Sequence, residues 1–180
     1  MKKTVSLSAI AALSLIALNA QAASVGTITF NGEVTASTCN VTVDSQAADA
    51  TVQLPTVSTN LLGAAGETAG ATAFNVSLSG CMSSLDTATM FFEAGSSVDL
   101  VTGRLNNTSG SASNVSLQLR DGLAPTTVIK AGSAEQLNDN TYANIQSGSA
   151  DLPYIVEYYA DDAATAGTVV SNVTYSIQYK

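Results

Sequence analysis

The chain has 180 residues, with 6 basic and 14 acidic side chains, a formal net charge of −8, no His and no Trp. An acidic balance excludes a nucleic-acid binder, which needs basic patches, and argues against docking on anionic membrane surfaces. Without His there is no Ser–His catalysis, and two cysteines with no close third ligand do not make a zinc site.

The amino terminus reads as an export signal. Met1, Lys2 and Lys3 give a basic start, residues 5–18 are apolar apart from Thr and Ser, and Ala20-Gln21-Ala22 places small residues where a signal peptidase cuts. The apolar run falls short of the roughly 20 residues that a transmembrane helix requires. Residues 1–22 are therefore expected to be a signal peptide. Removal of Lys2 and Lys3 leaves four basic against fourteen acidic residues, a net charge of −10, in a chain starting at Ala23.

Residues 24–32 follow, Ser-Val-Gly-Thr-Ile-Thr-Phe-Asn-Gly. Gly26, Ile28 and Phe30 fall on one face and Thr27, Thr29 and Asn31 on the other, the period of a strand. A strand at a terminus exposes unpaired backbone and an apolar face unless it finds a partner. Cys39 and Cys81 are the only cysteines, and in an exported chain they are expected to form one disulfide.

The body repeats short alternating runs separated by Gly, Ser, Asn and Asp. Residues 34–43 carry Cys39, and residues 51–54 form a short run closed by Pro55. Residues 58–70 read as a loop with one helical turn at Asn60, Leu61 and Leu62. Phe74, Val76 and Leu78 alternate toward Cys81, and residues 89–93 are compact and apolar. Residues 104–113 are a turn region. Val115, Leu117 and Leu119 then alternate with Ser116, Gln118 and Arg120, and residues 126–129 follow a turn at Asp121-Gly122. Residues 132–148 are polar and loop-like. Leu152, Tyr154, Val156 and Tyr158 alternate, residues 161–167 form a turn, and Val173, Tyr175, Ile177 and Tyr179 close the chain. Many short strands with turn chemistry between them and no sustained helical period mean an all-β sandwich. Asp161-Asp162, the one adjacent acidic pair, falls in a turn and reads as a solvated tip. No catalytic, cofactor or metal site is assigned.

In order along the chain, these features resemble the structural subunits of chaperone–usher fimbriae, most closely the type 1 fimbrial major pilin group. The residues that carry the resemblance are Phe30-Asn31-Gly32-Glu33-Val34 before Cys39, Val52-Gln53-Leu54, Phe74-Asn75-Val76-Ser77-Leu78 before Cys81, Asn114 to Leu119 before Asp121-Gly122, and Leu152-Pro153-Tyr154 before Tyr158-Tyr159-Ala160. Gly167, fourteenth from the end, and the penultimate Tyr179 match the family's carboxyl-terminal assembly signature.

The resemblance implies an incomplete immunoglobulin-like β-sandwich over residues 32–180. It would lack its last strand, leaving a groove beside a terminal strand over residues 169–179. Residues 23–31 would be a donor extension that fills the groove of a neighbouring copy, with Ser24, Gly26, Ile28 and Phe30 facing its pockets. Gly167, Val173, Tyr175, Ile177, Tyr179 and Lys180 would form the groove and the contact for a periplasmic chaperone, which an outer-membrane usher then replaces with the next subunit. Such a subunit would pass through the periplasm to an extracellular fimbria, with no direct insertion in the membrane. The extension is short, with nine residues, 23–31, before Gly32. Two readings compete: a minor or adaptor subunit, or a self-contained secreted immunoglobulin-like module, carbohydrate-binding in function, whose residues 24–31 pair within their own chain. A tip adhesin would need an additional lectin domain, for which this length leaves no room.

Overall fold

Phe74, Val76 and Leu78 alternate with Ala73, Asn75 and Ser77, and the alternation becomes a sheet face: the three apolar side chains are buried, and their neighbours are not. In the computed structural model, Thr29, Phe30 and residues 39–180 are described. The chain divides into Met1–Val34 and Thr35–Lys180, and every strand described below belongs to the second unit. Residues 1–22, with Ser24, Gly26 and Ile28, lie outside the described residues, as do residues 31–38. Thr29 and Phe30 are exposed.

Nine strands, one 3-10 turn and one short helix are present among the described residues. The strands are β1 (Asn40–Val43), β2 (Thr68–Ser79), β3 (Thr87–Phe92), β4 (Leu105–Asn106), β5 (Val115–Asp121), β6 (Val128–Ile129), β7 (Ala143–Asn144), β8 (Ala150–Ala160) and β9 (Tyr175–Tyr179). The 3-10 turn is Thr59–Leu62 and the helix, α1, is Gln136–Asp139. All pairings are antiparallel. One sheet runs β1-β2-β8-β5-β4, with β6 beside β5, and the other runs β7-β3-β9. This is an all-β sandwich with the immunoglobulin-like layering expected from the sequence.

The two sheets close on a shared core. Val76, Leu78, Leu119, Leu152, Tyr154 and Val156 from the larger sheet meet Met90 and Phe92 from the smaller one, with Ile129 beside them. β2 and β8 form the longest pairing. Their register slips between Ala69 and Thr72, where Gly70 adopts φ +67° and lies against the Tyr158 ring. A side chain there would be strained by backbone and blocked by the ring.

Two expectations need correction. Residues 132–148 are not a featureless polar loop, since they hold α1 and β7, and Gln136 is 2% exposed. Its amide lies where a neighbouring strand would otherwise pair. Ser116 and Gln118 are buried although they alternate with the apolar residues of β5. They lie on the outer face of the sheet in a polar network: Gln118 Nε2 donates to Glu157 Oε1 at 2.8 Å, and Arg120 Nη2 reaches the same oxygen at 2.6 Å. A buried carboxylate needs such partners. Asp161 and Asp162 are exposed in the turn after β8, as expected, and Asp161 also pairs with Arg104 Nη2 at 3.1 Å and accepts from Ser116 Oγ at 3.2 Å.

Tyr154 is the pivot of the core. Its ring stands edge-on to Phe92 with centroids 5.3 Å apart, and its hydroxyl accepts the Met90 N–H at 2.8 Å. Burial pushes that hydroxyl above its ordinary value of 10.0. Ionisation therefore costs more in the folded than in the unfolded chain, so this stabilisation is complete below pH 10 and lost as pH climbs through the raised value. Tyr154→Phe should cost about 1–3 kcal/mol at neutral pH by leaving the Met90 N–H unpaired. Urea unfolding across pH checks both points: the gap between wild type and variant should narrow above pH 10.

Candidate functional site

The last strand decides where this fold is open. β9 pairs with β3 in the register Ala88↔Tyr179, Met90↔Ile177 and Phe92↔Tyr175. Lys180 exchanges backbone hydrogen bonds with Thr87, and Glu93 N–H donates to Thr174 C=O at 2.8 Å. In an antiparallel ladder such pairs alternate. Thr174, Ser176, Gln178 and Lys180 therefore turn their backbone groups to β3, and Tyr175, Ile177 and Tyr179 turn theirs outward. Among the described residues no hydrogen bond reaches those three N–H and C=O pairs. The side chains of Val173, Tyr175, Ile177 and Tyr179 pack on the core, yet each is only half-buried, whereas Met90 and Phe92 beside them are fully buried.

The opposite rim includes residues 51–57, of which the sequence reads 51–54 as a short run. Val52, Leu54 and Val57 are half-buried while Thr51, Gln53, Pro55 and Thr56 are exposed. Val52 and Leu54 pack on the core, but no strand ladder among the described residues includes them. Three tyrosines reach from the sandwich to this side. Tyr179 Oη accepts from Cys39 N–H at 3.3 Å, Tyr175 Oη donates to Ala48 C=O at 2.8 Å, and Tyr158 Oη donates to Pro55 C=O at 3.2 Å. Residues 39–57 thus run alongside the terminal segment in the opposite direction. Burial raises the Tyr158 and Tyr175 hydroxyls, with the Asp49 charge adding to the shift at Tyr175, so both remain donors at neutral pH. Between the rims at one end lies a cleft of about 570 Å³, walled by Leu54, Val57, Leu62, Val115, Tyr158 and Val169.

The ends of the groove are fixed in different ways. Cys39 and Cys81 form a disulfide, which ties the start of β1 to the segment after β2 and holds Cys39 against Tyr179. At the other end the regular strand is shorter than expected, covering Tyr175–Tyr179 rather than residues 169–179. The reason is a change of partner: Thr168 C=O accepts from Ala112 N–H at 3.0 Å and Val170 C=O from Thr108 N–H at 2.9 Å. Residues 106–113 are consequently pinned to the terminal segment. Gly167 is part of this junction, because a Cβ on it would collide with the backbone of Ser111 and Ala112.

Val173, Tyr175, Ile177 and Tyr179 therefore share one rim. Gly167 lies beyond one end of it and Lys180 beyond the other. Lys180 C=O accepts from Asp86 and Thr87 N–H at 3.0 and 2.9 Å, and its ammonium stands 3.6 Å from the centre of the Tyr142 ring. Of the four donor-strand residues, Phe30 is described and exposed. Tyr158 was read from the sequence as a core-facing strand residue, and neither it nor Val57 was assigned to the groove. Val52 and Leu54 carried a signal, their alternation, but its meaning depends on the missing partner strand. Among the described residues no grouping of side chains could hold a metal, and no helix is long and apolar enough to cross a membrane.

Comparison with known proteins places this geometry. Residues 54–180 match the family FimA: Type-1 fimbrial protein, A. The chain belongs to the type-1 fimbrial protein family. It is 46% identical to the major fimbrial subunit SMF-1 of Stenotrophomonas maltophilia over 86% of this chain and 92% of that protein. It is 40% identical to the F17 fimbrial protein of Escherichia coli, over 86% and 87% respectively. In fold it is similar to the P pilus rod subunit PapA, with a TM-score of 0.60 at 14% identity, covering 78% of this chain and 99% of that one. The type-1 fimbrial chain is thus a structural pilus subunit, a link in an extracellular polymer of like subunits.

Gly167→Val should weaken the junction by about 1–3 kcal/mol, because the added side chain meets backbone that cannot retreat. Thermal unfolding would register this as a lower melting temperature.

Proposed function

We propose that the fimbrial subunit polymerises by donor-strand complementation in trans, with residues 23–31 of one copy laid between β9 and residues 51–57 of the next. The observation that carries this reading is the edge at Tyr175, Ile177 and Tyr179, whose backbone groups no hydrogen bond reaches among the described residues, with the extended residues 51–57, which join no ladder among those residues, on the side to which the tyrosines reach. A strand added there satisfies backbone groups by hydrogen bonding and presses alternate side chains into the sandwich. Ser24, Gly26, Ile28 and Phe30 share the parity needed to face the core, and Gly26 lets the donor backbone approach where the groove narrows. Donor and groove are different surfaces of the molecule, so the contact is head-to-tail and generates an open filament.

In the same reading residues 1–22 direct export and are removed, and residues 32–180 are the pilin domain. The unfilled groove is an aggregation hazard. A periplasmic chaperone that lends its own strand and holds the carboxyl end at Lys180 removes the hazard, and an outer-membrane usher exchanges that strand for the next subunit's extension. The resulting surface fimbria supports cell adhesion.

The test uses a chain lacking residues 23–31, unfolded thermally with and without a peptide of residues 23–32. A ligand that binds the folded state alone stabilises it by mass action, about 2.7 kcal/mol at a hundredfold excess over Kd. The peptide should raise the melting temperature, and a peptide with Phe30→Asp should not, because it places a charge in an apolar pocket. A truncated domain that is stable alone and indifferent to the peptide would instead support the self-contained module.

A further inference from the structure

β3 is the inner strand of the smaller sheet at one end and has a second edge, away from β9, that the two-residue β7 covers only at Thr87 and Ala88. By the same parity, Met90 and Phe92 turn their backbone groups toward that edge. Along this edge side chains stand in for a strand. Gln136 Oε1 accepts the Phe92 N–H at 3.0 Å, and Gln136 Nε2 donates to Phe92 C=O at 3.0 Å, so one amide reproduces the two bonds of a peptide neighbour. Met90 N–H is taken by Tyr154 Oη at 2.8 Å and Met90 C=O by Asn140 Nδ2 at 3.2 Å. Phe92 C=O also accepts from Gly132 N–H at 2.8 Å. Gln136 is the first residue of α1 and Asn140 its C-terminal cap, and they are 2% and 5% exposed.

We infer that the α1 turn is a built-in plug on a second strand-accepting edge, which restricts each subunit to one donor and keeps the fibre unbranched. The inference rests on the strand-addition reading of the groove. Its logic is the contrast between two edges of one three-stranded sheet: at β9, the backbone of Tyr175, Ile177 and Tyr179 meets no partner among the described residues and lies beside half-buried side chains, and at β3 the equivalent groups are all engaged. An edge left free at β3 would be a template for a strand from another copy of this chain. Among the described residues the remaining edges are poor templates because β1, β4, β6 and β7 are two to four residues long.

The experiment examines full-chain fibres by negative-stain electron microscopy. Gln136→Met keeps the length and volume of the side chain and removes both bonds to Phe92, and Asn140→Leu releases Met90 C=O alone. Branch points or side-by-side contacts should be at least tenfold more frequent in Gln136→Met fibres than in wild type, and intermediate in Asn140→Leu. Unbranched fibres of unchanged width from both variants would overturn the inference. Full chain carrying Phe30→Asp separates the two readings: fibres that still form with it remove the strand-addition reading itself, whereas their loss alongside unbranched Gln136→Met fibres removes the plug alone. Amide hydrogen exchange on wild-type fibres decides the matter even where a variant fails to fold. The Met90 and Phe92 amides should be as protected as those of Thr89 and Phe91 in the ladder, and free exchange at either would overturn the plug.

Discussion

The structure depends on how the backbone edges of its three-stranded sheet are satisfied. A peptide group held beside an apolar core loses its water at a cost in free energy unless another group replaces it. β3 meets this demand on both sides: β9 lies along one edge, and β7, Tyr154, Asn140 and Gln136 complete the other. Among the described residues β9 meets it on one side only. Its outward residues are those whose side chains help to roof the core, so the open backbone edge and the incompletely covered apolar face occur at the same three positions. One added strand would answer both needs, as the proposed assembly requires.

The tyrosines and the disulfide explain how such a gap keeps its shape. Tyr158, Tyr175 and Tyr179 present aromatic bodies to the core and direct their hydroxyls to the backbone of the opposite rim. Cys39 is held by Cys81 and touches Tyr179, so the covalent link and the terminal strand share one end of the groove. At the other end Gly110 and Gly167 permit two loop backbones to lie in contact. The groove is thus framed at both ends before any donor arrives, and the ordering cost of binding falls mainly on the incoming strand.

Much of this was legible in the sequence, for physical reasons that can be named. Alternation at Phe74, Val76 and Leu78 and at Leu152, Tyr154 and Val156 reports a two-layer fold directly, because one face of each strand is dry. Alternation failed where burial is two-sided: Ser116 and Gln118 look solvent-facing and are covered by their own polar network. It also failed where a polar side chain replaces backbone, since nothing local distinguishes Gln136 from a surface glutamine. Val52 and Leu54 show the converse, a strand pattern with no strand beside it. Sequence periodicity records which side chains are buried; whether the backbone has a partner is a tertiary fact.

Charge sharpens the case for a short-range, backbone-led contact. The four cations within the described residues are committed: Arg104 to Asp161, Arg120 to Glu157, Lys130 to Glu135, and Lys180 to the Tyr142 ring. The remaining carboxylates give every copy the same sign, so approaching subunits repel at long range and attract only once a strand is seated. The extension has no charged residue between Ala23 and Gly32. Bringing it into the groove therefore adds no repulsion of its own, while repulsion between the bodies disfavours arrangements in which they merely touch. In the proposed assembly, apolar alternation supplies the attraction, the edge of β9 supplies the direction, and the acidic surface penalises unspecific contact.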